Sequence, residues 1–182
     1  MPAQTPDDVL DFWFAESTRP SWFVRSEAFD ALVRAELGPL HERAVRGELD
    51  AWAADPRSAL ALVLLLDQAP RNLHRGSARS FASDASALRH ARAVVDAGLD
   101  QNLTEVEKVF LYLPFEHSES LADQDRCLAL TAALGDPLWH NFAEKHRVII
   151  ARFGRFPHRN AILGRESTPE ELEFLQQPGS GF

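Results

Sequence analysis

This 182-residue sequence has little cysteine or lysine and no apolar run of membrane length. Cys127 is the sole cysteine, which excludes an intrachain disulfide and any multi-thiolate metal site and points to a reducing compartment. The longest apolar run, Ala59 to Leu66, is far too short to cross a bilayer and reads as the buried face of a helix. The first eight residues carry Asp7 and Asp8 but no basic cluster ahead of an apolar stretch, so no secretory signal is expected. A cytoplasmic location without membrane association follows as the expectation. Also missing are Gly-x-Gly-x-x-Gly, a Gly-Lys-Ser/Thr phosphate loop, a Gly-x-Ser-x-Gly elbow and a His-Glu-x-x-His pair, so no cofactor and no metal ligand set is assigned. What is present, 45% hydrophobic residues with nine Gly and eleven Pro, suffices for a core and excludes a collagenous or low-complexity chain.

Helix punctuation recurs along the chain, while alternating strand patterns are missing. Thr5 with Pro6, Asp7 and Asp8 reads as a cap, a first-turn proline and two acids favoured by the helix dipole. Ser26 caps a second helix whose Phe29, Leu32, Val33 and Leu37 recur at helical spacing until Gly38 and Pro39 interrupt them. Asp55 and Pro56 open a third, expected to stop near Ala69 because Pro70 follows. Asp84 starts a fourth that Gly98 closes; Thr104 and Glu107 form a capping box for a fifth, kinked or ended at Pro114. Further helices start at Ser118 or Ser120, at Pro137, and at the Thr168, Pro169, Glu171 capping box, the last ending near Gln177. The expectation is one all-α domain over 1–177, with seven or eight helices stacked as antiparallel hairpins and no sheet, and a flexible tail over 178–182. Trp13, Leu62, Leu66, Phe110, Leu113, Phe142 and Ile149 are the expected core, and Cys127 is a buried filler on its helix.

Charge is distributed unevenly. The net charge is −8, which disfavours nucleic acid and anionic membrane as partners. Yet Gln68 to Ser83 holds no acid beside Arg71, Arg75 and Arg79, and Lys145 to Arg165 holds none beside six basic residues. Two such segments could converge beside His117 into one anion site, where guanidinium forks bind carboxylate or phosphate. Alternatively they pair with acids of the protein itself, and the dominance of arginine over lysine weakens each single Arg as a ligand signal.

Glu116, His117, Ser118 and Glu119 form a second constellation at a helix junction, where a carboxylate beside an imidazole can tune it for proton transfer. Cap residues and a backbone-bonded histidine are the plainer reading. His117, His146 and His158 with Glu116 or Glu119 offer a weak metal-like set, and His140 with Glu144 is a surface pair.

Three motifs occur in order: Leu66-Asp67-Gln68-Ala69-Pro70-Arg71-Asn72 with Arg75-Gly76 and Phe81-Ala82-Ser83-Asp84; Tyr112-Leu113-Pro114-Phe115-Glu116-His117-Ser118-Glu119 with Gln124; and Phe153-Gly154-Arg155-Phe156-Pro157-His158-Arg159-Asn160 with Leu163-Gly164-Arg165. Together with Val9-Leu10-Asp11-Phe12-Trp13-Phe14 they resemble the domain of unknown function 924 family over about residues 8–176. Ala69 departs from the pattern, standing where a bulkier residue, commonly phenylalanine, is expected.

The resemblance implies an all-α fold similar to tetratricopeptide-type helical repeats, and leaves enzyme status open. It adds weight to the polar motif positions. His117, Glu116, Glu119 and His158 are the candidate catalytic residues, and Asp67, Gln68, Arg71, Asn72, Arg75, Arg155, Arg159 and Asn160 the candidate ligand-binding ones. The reading that follows is an Arg/His-lined site for a small anionic ligand, carboxylate or phosphate, with a proton-transferring histidine. One alternative is a module that binds an acidic peptide or protein partner on a helical-repeat face. A third, carried by the resemblance alone, is an aminoacyl-tRNA-dependent cyclodipeptide synthase-like enzyme, for which the basic strips would dock one tRNA acceptor end against an otherwise acidic surface. Oligomeric state is not legible.

Overall fold

Residues 2–181 are described by a computed structural model, and among them there is helix and turn but no strand. The helices are α1 (Pro6–Phe14), α2 (Glu27–Val45), α3 (Pro56–Val63), α4 (Ala69–Leu73), α5 (Asp84–Asp96), α6 (Glu105–Glu116), α7 (Leu121–Leu134), α8 (Pro137–Phe153) and α9 (Pro169–Leu175). The chain is all-α. It divides into two compact units: the first runs to Arg75 and resumes over Arg79–Pro114, and the second holds Gly76–Ala78 and the chain from Phe115 onward. No helix among the described residues is long and apolar enough to cross a membrane.

Local chemistry sets most helix ends. Thr5 and Asp8 form a reciprocal capping box on α1, as Thr168 and Glu171 do on α9. The Asp55 carboxylate accepts the first amides of α3, and the Ser26 hydroxyl accepts Phe29 N–H on α2. Gly98, Gly135 and Gly154 take left-handed conformations at φ 67, 79 and 68°, which only glycine adopts without strain, where helices α5, α7 and α8 finish.

Helix does not stop at three positions where an end or interruption was expected, Pro114 among them as either a kink or an end. Helix α2 continues through Gly38 and Pro39, and α6 through Pro114 to Glu116. On α2 the buried row Val33, Leu37, Leu40 and Ala44 anchors the helix on both sides of Pro39, and that burial outweighs the roughly 3 kcal/mol an interior proline costs. Nor does the chain stop at Ala69. One wide turn, Leu64–Gln68, joins α3 to α4 without a break, with Ala69 N–H donating to the Leu64 carbonyl five residues back. Proline at position 70 brings no N–H, but neighbouring carbonyls are met from outside the helix. His41 Nδ1 lies 2.8 Å from Leu65 O, and Ser83 Oγ donates to Leu66 O at 2.6 Å.

In the first unit, every residue from Ala59 on α3 through Gln68 in the wide turn is buried, and the two elements pack against α1, α2 and α5. Phe110 gathers Trp13, Phe14, Trp22 and Phe23 around it at ring separations of 4.7 to 5.9 Å. In the second unit α7 and α8 pack along each other, with Cys127 buried on α7 and its thiol pushed up from the ordinary range by burial foremost. Six of the seven expected core residues are buried, but Phe142 is 38% exposed. The buried stripe of α8 is Ala143, His146, Ile149 and Ile150, so a histidine takes the interior place that apolarity assigned to phenylalanine.

Candidate functional site

The motif residues of the second unit gather around the turn that follows α8. The C-terminal end of α6 is held by Gln124 of α7, fully buried, whose Nε2 donates to Glu116 O at 2.6 Å and Ser118 O at 2.7 Å. One side-chain amide thus satisfies carbonyls that a helix end leaves without internal donors, and it fixes the Glu116 to Glu119 junction. Gly154 then reverses the chain after α8 and a short 3-10 turn, Pro157–Arg159, brings His158 and Arg159 alongside the buried Phe156 ring.

Phe156 is the hub. His146 stands 5.7 Å from it edge-on, His158 lies 5.6 Å away, and the Arg159 guanidinium sits 4.6 Å over the ring. His117 is 6.3 Å from His146, and Glu116 Oε1 is 3.3 Å from His146 Nδ1, which also faces Phe142 O at 2.9 Å. Burial, foremost, pushes His146 down to about 3 and His158 to about 4, and the Arg159 charge adds to the effect at both. Both imidazoles are therefore neutral at pH 7, able to give one proton in a hydrogen bond and accept another.

A chain of charged hydrogen bonds frames this hub. Glu119 takes the Arg165 fork at 2.7 and 3.0 Å and the Phe156 amide at 2.8 Å. Burial alone would raise its pKa, but those bonds outweigh it and hold the carboxyl below the usual range. Arg165 Nε continues to Asn160 Oδ1 at 3.0 Å, Asn160 to Glu171 at 3.2 Å, and Glu171 to Arg155 at 2.6 and 2.8 Å. The Arg155 hydrogen bonds, first among several, hold Glu171 down to about 2.

In the first unit the remaining candidates form two groups. Arg71 forks onto Asp84 at 3.0 and 3.1 Å and bonds the Asp67 carbonyl, while Gln68 Nε2 donates to the buried Asp67 carboxylate at 2.6 Å. Asn72 and Arg75 both bind Asp30, at 2.8 Å and at 2.8 and 2.7 Å. Arginines in both acid-free segments thus meet carboxylates of their own unit, as Arg79 does Glu42, Arg147 does Asp125 and Arg152 does Glu170. Asp30, Asp84 and Glu171 lie outside the basic segments and carry no sign of these pairings in sequence. His146 had only its place in a weak metal-like set.

Comparison with known proteins gives a family and no activity. The family model for bacterial proteins of unknown function, DUF924, matches residues 9–179. A solved structure of a protein of unknown function from Agrobacterium tumefaciens is 45% identical, with a TM-score of 0.89, covering 94% of this chain and 96% of that one. No curated protein matches. The family match over residues 9–179, with the 45% identity to that solved structure, shows that the chain belongs to the DUF924 family of bacterial proteins.

Proposed function

We propose that the second unit carries a site for a small anionic ligand, a carboxylate or a phosphate, in which Arg159 meets the charge and His158 and His117 handle a proton. The observation that carries the reading is the company around Phe156: two imidazoles within 5.7 Å of its ring, a third 6.3 Å from His146, and a guanidinium 4.6 Å away. A purely structural core gains nothing from this set, because leucines would fill the same space without desolvating polar groups. Neutral imidazoles suit a ligand oxygen, donating N–H to a carbonyl or phosphoryl group in the ground state and passing that proton toward it as negative charge develops there. Glu119, Arg165, Asn160, Glu171 and Arg155 form the frame that keeps the turn in place, and in this reading they do not touch the ligand.

The test is a thermal-shift panel of small mono- and dicarboxylates and phosphate monoesters at pH 7, on the wild type and on His158→Asn. Ligand at a hundredfold its Kd adds about 2.7 kcal/mol of stability, which for a chain of this size is a rise of roughly 5–10 °C. One chemical class should give that rise in the wild type and not in His158→Asn, whose ligand-free Tm stays close to wild type. A panel without effect, or an undiminished shift in His158→Asn, overturns the reading.

A further inference from the structure

In the first unit, two histidines far apart in sequence face each other beside a carboxylate. His41 is buried on α2, and its Nδ1 lies 2.8 Å from Leu65 O in the wide turn. A carbonyl can only accept, so Nδ1 holds the proton and Nε2 presents a lone pair. His74, just past α4, has its ring 5.5 Å from that of His41, and its Nε2 is buried with no hydrogen-bond partner among the described residues. Glu42 follows His41 in sequence and is exposed, with Arg79 Nη2 3.1 Å from its Oε1. One nitrogen from each imidazole and one Glu42 oxygen lie within 4.8 Å of one another.

We propose that His41, His74 and Glu42 form a binding site for one divalent cation of the zinc type. Two imidazoles and a carboxylate are a recurrent donor set for such ions, and three protein ligands leave a fourth position for water. The Leu65 carbonyl behind His41 is the kind of outer partner that fixes the tautomer and orientation of a metal-bound histidine. Burial, foremost, lowers the pKa of both histidines, so both are neutral and able to ligate at pH 7. An ion at this position would give the buried His74 Nε2 the partner it otherwise lacks among the described residues.

Tetrahedral zinc, with bonds of about 2.0–2.1 Å, sets its donors roughly 3.3 Å apart, so binding draws the three side chains inward. His41 is fixed by its bond to the wide turn, so the movement belongs to His74 and Glu42. Arg79 opposes the ion: its guanidinium is exposed, holds the same carboxylate, and must swing away from it. This site shares no residue with the one proposed around Phe156.

Metal-free protein titrated with Zn2+ against a chromophoric chelator should bind one equivalent, and Co2+ should give the visible absorption of a four-coordinate site. Loss of an outer partner alone costs a metal site about 10–100-fold in affinity, so His74→Ala and Glu42→Gln should each weaken binding by at least tenfold. His74→Ala should not lower the metal-free Tm, since the nitrogen it removes bonds nothing. Arg79→Ala should tighten zinc several-fold, which a merely structural Arg79 would not do. No binding by the wild type, or equal binding by His74→Ala, overturns the proposal, the second outcome placing the ion on other imidazoles.

Discussion

Glu171 has two tasks that sequence separates and the fold combines. Its carboxylate caps α9 through the Thr168 amide at 2.8 Å, and the same group takes the Arg155 fork and the Asn160 amide. Glu171→Gln keeps the shape but leaves Arg155 without its counter-charge. Because Arg155 is partly solvated, the expected loss is about 2–4 kcal/mol in urea unfolding, toward the lower part of the range for a broken buried pair. The native carboxyl titrates near 2, below its ordinary value, so its contribution is full above about pH 4.5 and disappears as pH falls toward 2. The variant should lack that part of the acid profile; an unchanged profile would refute the assignment. The cap was legible at Thr168 because it is local. The ion pair was not, because Arg155 and Glu171 meet only after the chain has turned back through Asn160, and acid-free segments looked uncompensated for the same reason.

At the scale of the element, the run from α3 through the wide turn to α4 shows where punctuation rules hold and where they fail. Caps at Thr5, Ser26 and Asp55 were readable because donor and acceptor lie within three residues. Pro70 read as a stop because the rule counts the hydrogen bond a proline removes, whereas here His41 and Ser83 supply donors from other parts of the chain. Ser83→Ala should therefore cost about 1–3 kcal/mol, the price of leaving the buried Leu66 carbonyl unmet. Guanidinium unfolding measures it, and a loss below ~0.5 kcal/mol would mean that the turn holds without its cap. The turn also re-aims the helix: α3 packs on α1 and α5, while α4 packs on α2, which is how Asn72 reaches Asp30 and His74 reaches His41.

Five of the seven histidines, His41, His74, His90, His146 and His158, have lowered pKa values, with burial the first cause in each. The native protein keeps them neutral, whereas the unfolded chain takes up protons as pH falls below about 6.5. Their contribution to stability is thus complete above that pH and declines toward their native values, about 4 for His158 and about 3 for His146. Each adds a slope of up to ~1.4 kcal/mol per pH unit inside that window. The urea midpoint should fall clearly between pH 7 and pH 5, and a flat midpoint would contradict the burial of these rings. Sequence marked the helical class and the motif segments, but not that so many imidazoles lie inside, since periodicity ranks histidine with the surface and placed Phe142 in the interior instead.

The sole thiol offers one more use of this interior. Cys127 is buried on α7 and hardly ionised at neutral pH, so an alkylating reagent can reach it only when the helix around it parts from its neighbours. With no second cysteine to confuse the signal, the speed of labelling becomes a clock for breathing of that region, and a ligand seated in the same unit would slow it.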